Sequence, residues 1–175
     1  VIGSGVVDLD HLRRLLASKP PALVSVMLAN NETGALQPVG EVADIVHQAG
    51  GLLHVDAIQA FGKISFDINV IKADLVTLSA HKIGGPKGVG ALVLADEVQG
   101  LEPLLRGGGQ ELGRRAGTEN VAGISAFGAA ARAAMAAMGR DTAWVRGLRD
   151  HLEGGLKATP GMIVFSEDVP RLPNT

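Results

Sequence analysis

Apolar residues recur at helical spacing at Leu9, Leu12 and Leu16, directly after Asp8, whose carboxylate suits the capping position of a helix. The same spacing returns at Val39, Val42, Val46 and Ala49 behind Pro38, a residue that fits the first turn of a helix. Two later stretches share the period: Ile124, Phe127, Ala131, Met135 and Met138 in one, and Val145, Leu148, Leu152 and Leu156 after Asp141 in the other. Between the helical patterns stand short, nearly continuous apolar runs at residues 22–28, 52–55, 75–78 and 89–94, the form taken by strands covered on both faces. Strands alternating with helices predict an α/β fold, a mostly parallel sheet flanked by helices.

Open α/β sheets bind ligands at the carboxyl ends of their strands. Polar residues follow three of the four runs: Asn30, Asn31, Glu32, Thr33 and Gly34 after the first, Asp56 and Gln59 after the second, Ser79, His81 and Lys82 after the third. A carboxylate, amides, a hydroxyl, an imidazole and an amine at neighbouring strand ends could hold a ring with a basic nitrogen, an acidic oxygen and a phosphate. Pyridoxal phosphate has that profile. A Lys amine can form a Schiff base with it, and an Asp facing the pyridine nitrogen keeps that nitrogen protonated, so that the ring accepts electrons from the substrate α-carbon. Taken singly, these residues have plainer readings: Asp56 as a turn former, Lys82 as a solvated loop lysine, His81 as a surface imidazole. The glycine-rich residues 84–90 lack the Gly-Lys-Ser/Thr ending of a phosphate-binding loop, and Leu112 stands where a GxGxxG motif starting at Gly107 needs its third glycine. A nucleotide site is therefore the weaker alternative.

Composition narrows the partners. With 175 residues, 46% of them apolar, the chain can bury one sizeable core and is too short for two ordinary domains. Sixteen basic and 18 acidic residues give a net charge of -2, so no nucleic acid and no anionic membrane surface is expected as partner. The chain has no cysteine, which excludes disulfides and thiolate metal sites. Residues 1–8 do not read as a signal peptide, and residues 123–139 are Ala-rich and broken by Arg132, so a soluble, cytoplasmic protein without a membrane span is expected.

Four segments in register carry a family resemblance: Ala29-Asn30-Asn31-Glu32-Thr33-Gly34; His54-Val55-Asp56-Ala57-Ile58-Gln59; Ser79-Ala80-His81-Lys82-Ile83-Gly84-Gly85-Pro86-Lys87-Gly88; and residues 107–120, ending Arg114-Arg115-Ala116-Gly117-Thr118-Glu119-Asn120. Together they closely resemble the cysteine desulfurases, which are similar to fold-type I aminotransferases of class V. The resemblance implies a homodimer with the active site at its interface, a large cofactor domain and a small second domain. It implies removal of sulfur from L-cysteine to give alanine and an enzyme persulfide, passed to a sulfur-acceptor or iron–sulfur scaffold protein. Carried over by position, Lys82 would hold pyridoxal phosphate, and Asp56 would pair with its ring nitrogen. Gln59 and Asn31 would bond the phenolic oxygen side, Ser79 and His81 the phosphate, and Thr118 the phosphate of the partner subunit's site.

The family's ring-stacking histidine, catalytic cysteine and carboxylate-binding arginine have no counterpart in these residues, so an internal fragment, incomplete at both ends and inactive alone, is expected. Residues 1–158 would be part of the large domain, and 159–175, with a strand over 162–165, the start of the small one. A selenocysteine lyase, an aminotransferase for a small amino acid and a non-catalytic homologue are the alternatives.

Overall fold

In a computed structural model, which describes residues 1–18, 23–96, 98 and 100–175, Asp8 caps the first helix: its Oδ1 accepts from the His11 backbone N–H at 2.8 Å. That helix, α1, spans Leu9–Ser18, and α2 spans Val39–Gln48. The four strands are β1 (Leu23–Met27), β2 (Leu52–Asp56), β3 (Leu75–Ser79) and β4 (Gly90–Leu94), in the order β1-β2-β3-β4. The first three run parallel and β4 pairs antiparallel with β3. Residue 22, the predicted start of the first strand, lies outside the described residues.

Because side chains alternate along a strand, register decides which residues share a face. Val55 lies beside Val76 and Val76 beside Val93, so Leu53, Val55, Val76, Leu78 and Val93 point one way. That face is the covered one. Val42 and Val46 of α2 join Leu53, Val55 and Val76 in the core, with Leu9, Leu12 and Leu16 of α1 packed against them. Met135 of the third helix shares a cavity of about 240 Å³ with Val76, Leu78 and Val93. The helices α1 and α2 and Met135 of α3 thus lie on one face, where covered strands on both faces were expected. On the other, Leu52 and Leu92 are exposed.

The two predicted C-terminal helices are one helix, α3, running unbroken over Val121–Lys157. No proline interrupts it, and Gly139 in an otherwise helical stretch costs only about 1 kcal/mol, too little to end a helix that packing supports. By length and composition α3 is apolar enough to cross a membrane, its best window averaging a mean hydropathy of 1.4. Its contacts are with the domain: Phe127 meets Phe61 edge to face with centroids 6.3 Å apart, and the Thr142 hydroxyl donates to the Lys63 carbonyl at 2.9 Å. Gly62, at φ +73°, marks the closest approach, since a Cβ there would lie 2.8 Å from Ile83 Cγ2 and 3.1 Å from Ala134 of α3.

The strand expected at 162–165 does not form. Among the described residues nothing pairs with this segment, and Ile163 and Phe165 are exposed; without a ladder partner, an extended segment is not a strand. The chain instead returns to the core at Leu172, whose N–H donates to the Gly34 carbonyl at 2.9 Å while Arg171 bridges Ala35. Charges on α3 hold that return. Arg149 donates to the Leu172 carbonyl at 2.7 Å, and Glu153 accepts from Lys157 at 2.7 Å and from Arg171. Lys157, then Arg171, hold the Glu153 carboxyl at about 2, below its ordinary 4.5. A lowered carboxyl stabilises the folded chain fully above its unfolded value and loses that contribution as pH falls towards the folded one. The thermal midpoint is therefore expected to drop between pH 4.5 and about 2, and less steeply in Glu153→Gln. Equal slopes in a calorimetric pH series would remove the clamp.

Candidate functional site

Parallel pairing of β1, β2 and β3 brings their carboxyl ends to one edge of the sheet. Met27 stands beside Asp56, and Asp56 beside Thr77. The ladder holds beyond the strands, with Leu28 N–H donating to the Asp56 carbonyl at 2.8 Å and Ala57 N–H to the Thr77 carbonyl at 3.1 Å. The turn bearing Asn31, the turn bearing Gln59 and the short 3-10 helix Ala80–Ile83 bearing His81 and Lys82 are consequently neighbours. Asn30 shapes the first turn: its Oδ1 accepts from the N–H groups of Glu32 and Thr33 at 2.8 and 2.9 Å, as turn asparagines do. Asn31 is left exposed, its Nδ2 donating to Glu32 at 2.8 Å.

Asp56 is half-buried, and its Oδ1 accepts from the Ile58 N–H at 3.0 Å, which fixes the carboxylate at the strand end. Gln59 Oε1 accepts from Lys63 Nζ at 2.9 Å. Burial, and after it the charge of Lys82, push the Lys63 ammonium below its ordinary value. After β3, Ser79 Oγ and His81 Nδ1 are 2.7 Å apart, and both line an open cleft of about 490 Å³ with Ile58, Thr77, Gly88 and Gly90. Lys82 is exposed in the next position, and Gly84, at φ +82°, turns the chain away in a left-handed conformation that glycine adopts freely. Asp56, Thr77 and Ser79 share the helix-free face with His54, whose ring bridges Ser25 Oγ at 2.7 Å and Thr77 Oγ1 at 3.1 Å.

The structure therefore gathers Asn31, Asp56, Gln59, Ser79, His81 and Lys82 at adjacent strand ends. It does not bring Thr118 to them by any contact among the described residues. That side chain is exposed on the loop before α3, where Arg115 Nη1 donates to the Gly117 carbonyl at 2.5 Å. Two features were not foreseen: the His54 rung across three strands and the Lys63 partner of Gln59. Only the second had a signal in the sequence, the four-residue spacing from Gln59 to Lys63. The donor set suits pyridoxal phosphate: a carboxylate for the pyridinium, an amide donor for the ring oxygen, a hydroxyl and an imidazole for the phosphate, and an amine for the aldehyde.

Known proteins share this fold. The family model described as aminotransferase class-V matches residues 1–175. A cysteine desulfurase of Cereibacter sphaeroides is 48% identical over 176 aligned positions, covering 100% of this chain and 44% of the relative. The cysteine desulfurase NifS of Azotobacter vinelandii is 46% identical over 98% of this chain and 42% of its own length. Among solved structures, a NifS-like protein from Rickettsia africae superposes with a TM-score of 0.94 at 39% identity, over 99% of this chain and 48% of that one. DndA from Streptomyces lividans superposes at 0.86 with 38% identity, over 98% and 49%. The chain thus spans less than half the length of these relatives.

Proposed function

The chain belongs to the class-V aminotransferase family, and from that membership we propose that it forms the cofactor-binding part of a pyridoxal-phosphate-dependent cysteine desulfurase. Lys82, Asp56, Gln59 and the Ser79–His81 pair at adjacent ends of β2 and β3 are the observation that carries this reading. Residues 1–158 belong to the large domain, and 159–175 lead from it towards the small one while Leu172 still sits in the large domain's core. When bound, pyridoxal phosphate supplies an electron sink for the substrate α-carbon. Asp56 holds the proton on the ring nitrogen. Gln59 and Asn31 donate to the phenolic oxygen, and Ser79 and His81 bind the phosphate. Lys82 would hold the cofactor through its aldehyde, and its amine would serve as the acid–base group on that side of the site.

In the net reaction the Cβ–S bond of L-cysteine breaks, an S–S bond forms to an acceptor thiolate, and the electron pair left on carbon takes up a proton to give alanine. None of the 175 residues is a cysteine, so none of this chain's side chains supplies that thiolate. The active unit is a cytoplasmic homodimer that passes the persulfide sulfur to an acceptor or iron–sulfur scaffold protein. The test is alanine and sulfide release from L-cysteine by the complete gene product supplied with pyridoxal phosphate and a thiol reductant. Alanine formed from selenocysteine but not from cysteine, or no alanine from either, would overturn the substrate. The 175 residues alone are expected to release none catalytically.

Thr118 acts in trans, on the cofactor of the partner subunit. Its exposure on an Arg- and Gly-rich loop, with no contact to the Ser79–His81 pair among the described residues, supports this. In a heterodimer of Lys82→Ala and Thr118→Ala subunits, trans action leaves one site with both lesions and the other intact, so about half the wild-type dimer's activity is expected from a two-fold assembly. Cis action puts one lesion in each site, and such heterodimers would show no wild-type site.

A further inference from the structure

We propose that Lys63 is a positioning residue, which orients the Gln59 amide so that its NH2 group faces the ring oxygen of the cofactor. The inference rests on the reading of Gln59 given above. The chain after β2 coils tightly: Phe61 N–H donates to the Ala57 carbonyl at 2.8 Å, and Lys63 and Ile64 N–H both donate to the Ala60 carbonyl, at 3.0 and 3.1 Å. Residues four apart in such a coil lie on one side, and the Lys63 ammonium meets the Gln59 amide at 2.9 Å.

An ammonium carries three donors and no acceptor. The amide atom it faces must therefore be the oxygen, because the reverse orientation would set NH2 against NH3+. With Oε1 engaged by Lys63, Nε2 is turned to the other side as the free donor, and a phenolic oxygen is an acceptor. Either amide face would otherwise be available, since glutamine carries both a donor and an acceptor end. The lysine is itself held. Its carbonyl takes the Thr142 hydroxyl of α3, and the neighbouring Phe61 ring packs on Phe127. Partial burial strengthens a charge-assisted hydrogen bond relative to one in water, and burial is the main cause of the lowered Lys63 ammonium value.

The test uses the complete gene product and has two readouts. In the cofactor-free protein, the side-chain amide resonance of Gln59 is expected to move in Lys63→Met and to stay near its wild-type position in Lys63→Arg, which also offers donors only. In the loaded protein, the dissociation constant and visible absorption band of pyridoxal phosphate are measured. Lys63→Met and Gln59→Ala are each expected to weaken binding about tenfold, the size of one charge-assisted hydrogen bond. The double variant is expected to be no weaker than either, because both remove the same contact. Losses that multiply, to roughly a hundredfold, or a Gln59 resonance indifferent to Lys63→Met, would overturn the proposal. If Gln59→Ala leaves affinity and absorption unchanged while Lys63→Met still moves the Gln59 resonance, the ring-oxygen assignment itself fails, and with it any positioning role for Lys63.

Discussion

Borohydride reduction of the complete, cofactor-loaded gene product is expected to leave its pyridoxyl group on Lys82, and Lys82→Ala to lower turnover by roughly 10²–10⁴-fold or more, the span of a lost general acid–base group. Lys87 is the rival amine, five residues on in the same glycine-rich stretch. Position separates them. Lys82 sits in the 3-10 helix that begins directly at the end of β3, two residues after the Ala80 that anchors it and next to His81 in the cleft. Lys87 lies beyond the left-handed turn at Gly84, in the turn leading to β4. Peptide mapping that found the adduct on Lys87, or near-normal turnover by Lys82→Ala, would reassign the reactive amine.

Asp56→Asn is expected to leave the fold intact and to reduce turnover by about 10²-fold or more, several kcal/mol of barrier. The substituted amide keeps a carbonyl oxygen to accept from the Ile58 N–H, so the turn after β2 retains its shape. It carries no charge, however, and a neutral amide does not hold a pyridinium proton as a carboxylate does. Unfolding midpoints and far-ultraviolet dichroism matching the wild type, with turnover depressed, are the expected pair of results. Near-normal turnover would remove Asp56 from the ring nitrogen.

The elements and the strand-end residues were legible because both are local properties. The apolar period at Leu9, Leu12 and Leu16 and the Asp8 cap define α1 without reference to any other part of the chain. Asp56 and Ser79 sit at strand ends because the apolar runs stop there. The break expected near Asp141 failed for the converse reason: a polar residue between two periodic stretches does not end a helix unless the backbone also loses its hydrogen bonds, and α3 keeps them. Residues 162–165 failed because apolar content was taken for a strand where no partner strand stands beside it.

The sequence by itself determined that α1, α2 and β1 to β4 coil or extend where they do and which polar side chains follow the strands, since each depends on neighbours within a few residues. Only the tertiary structure decided that α1 and α2 share one face, that Leu172 returns to the core under Arg149 and Glu153, and that His54 bridges Ser25 and Thr77. The side-chain bonds among them join residues 18 to 29 positions apart, and the Leu172–Gly34 bond spans far more. Closing loops of that length costs chain entropy that the packed core must offset, and an apolar stripe records that a face is buried without recording what buries it.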